Sequence, residues 1–503
     1  MRHRSGPVPS VSPVLVVLAV LVSLLLAPAA HAHVGSPNVF FEGMAGSWPV
    51  RVIIRPPGVI PGLAEITVRV KQGAPERIQV QPVQWKAGVK GAPPPDEAKP
   101  VPGEKGLWSA QLWMMTASSY SVRVRITGPA GEGLAIVPVV TVRTARLAMQ
   151  RALGFVLGGL GLFLVVGALT IVGAAVRESV LAPGEEPDVR RRRRARLTVA
   201  VTGVFLVLLL LGGKSWWDGV DADYRQTIFQ PFHVRTAVVP EGSARVLRLE
   251  IDDPRWGRER DWSPLMPDHG KLMHLFLVRE PGLDAFAHLH PVPRDQSRNR
   301  FEAALPPLPA GRYRVYADVV HESGFTQTLT DAVEIAGPSS TAEASPGPPS
   351  DPDDSWRTAA QIPLEAVKSS LGDGLSMTWE RGSEPLRANR EVELRFVVRD
   401  GAGRPAPLEP YMGMPSHAVI SRDDGKVFVH LHPVGSFSMA AQQAFAAQDP
   451  AARMPGTMAG MDHPPGSTIS FPYEFPQPGR YRLWVQVKSG GAVKTGVFDA
   501  AVQ

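Results

Sequence analysis

Cysteine is absent from all 503 residues, so the chain has neither disulfides nor thiolate ligands. Any metal site must therefore be built from histidine, methionine, carboxylate or backbone groups. Also missing are a Ser-His-Asp arrangement, a phosphate-binding loop and a pair of catalytic carboxylates, which points away from an enzyme. A dispersed basic surface is lacking too. The formal charge is +6, and Arg190, Arg191, Arg192, Arg193, Arg194 and Arg196 supply as much on their own, leaving the rest near neutral. That excludes a nucleic-acid partner. A tight basic cluster between two apolar runs reads instead as a loop held on the cytoplasmic side of a membrane.

The apolar runs themselves are distinctive. Residues 1–32 combine a basic start (Arg2, His3, Arg4), an apolar run from Val14 to Leu26 and the small-residue site Ala30-His31-Ala32, the pattern of a secretory signal whose removal leaves His33 first. The competing reading is an uncleaved anchor helix, for which the run is short. Residues 152–176 and 197–213 are expected to cross the membrane, with the arginine-rich loop 177–196 inside. Trp216 and Trp217 follow the second span, where an interfacial aromatic belt belongs. Both flanking regions then face the periplasmic or extracellular side.

Those flanking regions are rich in strand and turn signals. Val50-Arg51-Val52-Ile53-Ile54 and Ile66-Thr67-Val68-Arg69-Val70 are β-forming runs between Pro and Gly clusters, which predicts a β-sandwich over 33–146. The same texture returns at 222–337 and 356–503, separated by a Pro, Ser, Gly and Asp tract at 338–355 that reads as a linker. The expected fold is therefore mainly β: three Ig-like β-sandwich domains, two internal transmembrane helices and an N-terminal signal segment.

The last two regions are an internal repeat. His274-Leu275-Phe276-Leu277-Val278, a turn, and His288-Leu289-His290-Pro291 match His417-Ala418-Val419-Ile420, a turn, and His430-Leu431-His432-Pro433. Downstream, Gly311-Arg312-Tyr313-Arg314-Val315-Tyr316 recurs as Gly479-Arg480-Tyr481-Arg482-Leu483-Trp484. The paired tyrosines Tyr313 and Tyr481 read as core residues, and His321, aligned with Ser489, as a surface residue.

Residues i and i+2 of a strand share a face, so His288 and His290 project together, as do His430 and His432. Turns at Pro281-Gly282 and Asp423-Asp424-Gly425 fold His274 back to within a residue or two of His288, and His417 opposite His430. Each hairpin thus offers three imidazoles, the ligands of choice for copper and zinc. His269 and Met412, each five residues upstream, are candidate fourth ligands, with Met414 as an alternative. Met439, Met454, Met458, Met461 and His463 form a Met-rich insertion suited to collecting Cu(I), and its thioethers suggest that the second copy binds Cu(I) more tightly than the first. The competing readings are a structural polar cluster, a repeat that has lost its metal and, for the insertion, filler. His33 could hold Cu(II) through its amine and ring only with a second histidine, which the N-terminal domain lacks.

The two copies of this histidine motif, their Gly-Arg-Tyr-Arg segments and the Ala-His-Ala-His stretch at 30–33 resemble the exported YtkA-like and CopC-like Ig-like sandwich families, over about half the chain. The resemblance implies copper binding or delivery. The function expected is extracytoplasmic metal sequestration, sensing or transfer, with a metal ion, the membrane and a membrane protein as partners. A non-catalytic interaction or assembly module is the runner-up.

The topology is testable with a reporter enzyme active only outside the cytoplasm. Fused after Gln503 it should be active, and inserted near Pro187 it should be silent; the reverse pattern would refute the orientation drawn from the arginines.

Overall fold

The computed structural model describes residues 38–146, 149–182, 184–241, 244–256, 264–294, 298–337, 351–453 and 466–503. The expected signal segment, His33, most of the linker, and Met454, Met458, Met461 and His463 lie outside them. The described chain is mainly β, with six antiparallel sheets and three α-helices. The sheets face one another in pairs around three apolar cores.

In the first pair, Val50, Val52 and Ile54 point into the core with Val122 and Val124 from the facing sheet. The opposite face of the same strand carries Arg51 and Ile53. Arg51 pairs with Glu42, and Ile53 joins Phe40 in the core of the C-terminal pair. Contact between these regions is close at Gly435, which bridges Phe41. A Cβ at Gly435 would lie 1.8 Å from the Phe40 carbonyl oxygen, so only glycine fits there.

Two helices separate the first sheet pair from the second. Helix α1 (Arg151–Glu178) and helix α2 (Val189–Gln226) are both long and apolar enough to cross a membrane. Gly173 lets them approach, facing Val199. Most of their apolar side chains, Phe155 and Leu208 among them, point outward, as lipid-facing residues do. Contrary to the loop expected at 177–196, Arg190 to Arg196 occupy the first turns of α2. Asp188 caps that helix by accepting a hydrogen bond from the Arg191 amide at 2.6 Å, and arginine is a good helix former, so the helix begins at the arginines instead of after them. The helix also continues past residue 213, carrying the exposed Trp216 and Trp217.

The hairpins lie in the second and third pairs. Strands β1 (His274–Arg279), β2 (Ala285–Leu289) and β3 (Gly311–His321) form one array, and β4 (His417–Arg422), β5 (Phe428–Leu431) and β6 (Gly479–Ser489) its counterpart. Residues 355–358 were expected to lie at the linker's end and the start of the third domain. They add instead to the edge of β2, with Ser355 opposite His288. Leu275 and Leu277 enter one core, while Ala418 and Ile420 enter the other.

The opposite faces of these strands meet each other. Phe276, Val278, Phe286 and Tyr316 pack against Val419, Phe428, Trp484 and Val497 in a separate apolar cluster. Tyr316 stacks on Phe428 at 3.9 Å between ring centroids and Phe286 on Trp484 at 4.9 Å. The hairpin strands are therefore buried on both faces.

Two residues sit differently from the sequence reading. His321 is fully buried among Phe232, Trp256 and Phe325, with Gln327 Nε2 2.9 Å from its Nε2, and burial lowers its pKa to about 3. Alignment with a serine suggested a surface position, but these aromatic rings enclose it. Met439 begins helix α3 (Met439–Gln448), capped by Ser438, and packs in the N-terminal core with Phe41 and Phe437. It is a core residue instead of part of a mobile collecting loop, because the helix supplies an apolar surface that it can bury.

Replacing Phe286 with Ala removes one ring of the buried stack. It should cost about 3–5 kcal/mol, measured as a lower urea midpoint for separation of the two hairpin faces in the detergent-solubilised chain; an unchanged midpoint would show that this stack does not hold them together.

Candidate metal centre

The strand period places the histidines on the faces that meet. Across from β1, the pairs Leu275↔Leu289 and Phe276↔His288 set the register; in the other hairpin, Ala418↔Leu431 and Val419↔His430 do so. His288 thus faces Phe276, two residues from His274 and within the offset expected, whereas His430 faces Val419 instead of His417. The longer turns shift each register by two residues, which preserves the side-chain face. His274, His288 and His290 therefore still converge, as do His417, His430 and His432.

Because the faces meet, these six imidazoles form one cluster instead of two separate sites. His274 lies 5.4 Å from His430 between ring centroids, and His288 lies 5.7 Å from His430 and 6.4 Å from His417. A seventh, His269, comes from the second sheet pair but packs against histidines of the third, tilted against His432 at 4.8 Å and edge-on to His417 at 5.4 Å between ring centroids.

His269 owes its position to a tight turn repeated in both units. Asp268-His269-Gly270-Lys271 and Tyr411-Met412-Gly413-Met414 each close with two reciprocal backbone hydrogen bonds, and both central residues have positive φ. This is type I′ geometry, which glycine at the second central position favours. Each turn touches the other unit: Tyr411 Oη lies 3.2 Å from His288 Nδ1, and His269 reaches His417 and His432. Met412 shares the turn position of His269 and makes a backbone hydrogen bond with it, and Met414 is buried.

Hydrogen bonds define which ring nitrogens carry protons. His274 Nε2 donates to the Asp268 carbonyl at 3.2 Å, leaving Nδ1 as a lone pair. His288 Nδ1 donates to Gln486 Oε1 at 2.9 Å, and Gln486 is oriented by its own donation to Ser355 Oγ. Tyr411 donates to the Asp353 carbonyl and so accepts from the same His288 Nδ1. The His288 Nε2 is therefore also a lone pair. Yet His274 Nδ1 and His288 Nε2 stand 3.2 Å apart. Between two acceptors that contact is repulsive, whereas two nitrogens bound to one ion at about 2.1 Å and about 100° stand about 3.2 Å apart.

The outer partners fit the same chemistry. Asp354 Oδ1 accepts from His290 Nδ1 at 2.9 Å, and Asp318 Oδ2 faces His430 Nδ1 at 3.5 Å. Carboxylates behind imidazoles orient them and raise their basicity. The opposite Nε2 atoms of His290 and His430, and both nitrogens of the buried His417, have no hydrogen-bond partner among the described residues. Burial holds the pKa of His274, His288, His417 and His432 well below the ordinary histidine range, and neighbouring imidazoles push the same way. These rings are neutral at pH 7, the form that ligates.

Of the residues singled out from sequence, all seven histidines thus come together. Asp351 and Asp354 were not foreseen, because they lie in the tract read as linker. Asp351 is engaged by Lys271 at 2.6 Å, which favours grouping His290 with His274 and His288 over grouping it with the carboxylates.

The domain family of unknown function DUF8832 matches residues 233–337 and 368–503, and each segment contains one His-Leu-His-Pro motif. No curated protein matches. Among solved structures, the chain is similar to E. coli alpha-2-macroglobulin in its native conformation at 10% identity, covering 94% of this chain and 23% of that one, with a TM-score of 0.17. It is similar to dimeric latent PorU from Porphyromonas gingivalis at 8% identity, covering 93% and 34%, with a TM-score of 0.15. Alignment to an ICAM-5 D1-D4 ectodomain fragment has 9% identity, covers 90% and 77%, and has a TM-score of 0.15. The chain spans well under two thirds of the first two structures, and likenesses this weak carry no argument.

His417 discriminates a metal centre from a structural polar cluster. Because its ring makes no hydrogen bond, His417→Leu should leave the metal-free chain as stable as the parent or raise its stability by about 1–3 kcal/mol, measured by denaturant titration. Marked destabilisation would mean that the imidazole supports the fold directly.

Proposed function

We propose that this chain is a membrane-anchored, extracytoplasmic metal-binding protein for sequestering, sensing or passing on a transition metal, with copper the first choice. The observation that carries the reading is the gathering of seven histidine rings in one enclosed cluster, with His274 Nδ1 and His288 Nε2 only 3.2 Å apart. Such an arrangement opposes folding until a cation occupies it. Imidazole donors suit copper and zinc, and divalent copper binds such ligands more tightly than zinc. The resemblance of the repeated motif to YtkA-like and CopC-like proteins supports the same choice.

Three Ig-like sandwiches are part of this proposal. Their support includes a recurring tyrosine device: Tyr313 donates to the Pro309 carbonyl at 2.8 Å and Tyr481 to the Gln477 carbonyl at 2.7 Å, each four residues upstream. Tyr120 contacts Thr116 at the same spacing. Such a return bond to an upstream residue is a feature of Ig-type corners. Two spans would hold these domains beside the membrane on its outer side.

The runner-up, an interaction module in a membrane complex, draws on an exposed apolar row in the N-terminal sheet, where Leu63 pairs with Trp113 and Met115 lies beside it. Metal content separates the readings. The full chain, purified in detergent from copper-supplemented cells, should retain copper by mass spectrometry, and replacing His288 and His430 with Ala should reduce that retention at least tenfold. Metal-free parent protein, or an unaffected double variant, would put the interaction module first.

A further inference from the structure

We propose that the cluster is a dinuclear centre: one ion at His274, His288 and His290, a second at His269, His417 and His432, and His430 standing between them. The inference rests on the metal-binding reading and extends it to the number of ions and to the role of the second.

Each trio is self-contained, with ligand nitrogens within 4.8 Å of one another. A single ion with imidazole ligands takes about four, so seven rings exceed the capacity of one. The fold accounts for the pairing. Two copies of one hairpin meet face to face, each bringing one strand histidine and one His-x-His, and thereby generate two neighbouring pockets. His430 lies between them, its ring 5.4 Å from His274, 5.3 Å from His417 and 4.6 Å from His432.

Charge around the cluster suits two cations. Asp268, Asp318, Asp351, Asp353 and Asp354 border it, whereas Lys271 and Lys488 are the cations paired with these carboxylates. The negative surplus is three. Bound metal ions can balance this surplus.

The two sites differ in what they connect. All three ligands of the first come from one hairpin. The second takes His269 from one unit and His417 and His432 from the other, so its ion cross-links the two sandwiches. Loading the second site therefore stabilises the interface, which makes the ion a clamp between the domains as well as cargo.

Counting ions tests this. The detergent-solubilised full chain is loaded with Cu(II) alone, and surface-bound ions are removed with a glycine wash. Two copper ions should remain per chain, with an integrated electron paramagnetic resonance signal well below two spins because neighbouring ions couple. His269→Asn, which tolerates the positive φ of this turn, should retain one ion with one full spin. His274→Gln should likewise retain one, and it guards against a folding failure in the first variant. One ion in the parent, two uncoupled ions, or two ions kept by either variant would overturn the dinuclear assignment while leaving metal binding intact. No retained copper would overturn both readings.

Discussion

Everything at the centre depends on two β-sheet faces packing against each other. An exposed hairpin carrying three histidines would hold them in water, protonated in part and free to rotate. Here Phe276, Phe286, Tyr316, Phe428 and Trp484 form the dry part of the contact, and the histidines are enclosed beside it. The aromatic packing supplies the stabilisation, at roughly 25 cal/mol per Å² of apolar surface removed from water. The imidazoles draw on it, since burying them without hydrogen bonds costs about 1–3 kcal/mol for each unsatisfied group. One interface therefore both assembles the site and offsets its cost.

The same contact explains why the parts beyond the hairpins are where they are. Residues 355–358 extend the sheet at β2, which brings Asp354 behind His290 and Ser355 against Gln486. Helix α3 meets the centre from the other side, where its Ala440 amide donates to Asp268 Oδ1, in the turn that carries His269. Because Met439 of that helix is also in the N-terminal core, all three sheet pairs bear on the position of one histidine turn.

Much of this was legible in the sequence. Period-two patterning marked the strands, and the repeated His-x-His marked the candidate ligands, because both are local consequences of backbone geometry. The meeting of the two hairpins was harder to read, since it is a tertiary event, although one signal was present. Leu275-Phe276-Leu277-Val278 is apolar at every position, the mark of a strand covered on both sides, and a hairpin with one face in water would alternate. Asp354 was hidden by composition: a Pro, Ser and Asp tract resembles a linker whether or not its last residues dock. His321 was misjudged because alignment with a serine says nothing about the aromatic rings that enclose it. The arginines adjoin the turn between the two long apolar helices but do not form it, because Asp188 starts the second helix before them.

A cluster built this way has consequences for how an ion enters and leaves. Under the metal-binding proposal, an ion reaching the buried trios would have to pass the interface or wait for it to open, and the aromatic cluster that closes it lies within the same two sheets. Affinity and accessibility are consequently coupled: tighter packing preorganises the imidazoles and lowers the cost of ordering them on binding, but it also slows exchange. The type I′ turns offer a way around this conflict. They lie outside the strand ladders, each is a short two-residue connection, and one of them carries His269 across the contact. Displacing that turn would withdraw His269 from His417 and His432 without separating the sheets, so in the proposed dinuclear centre the second ion would exchange while the shared face stayed closed.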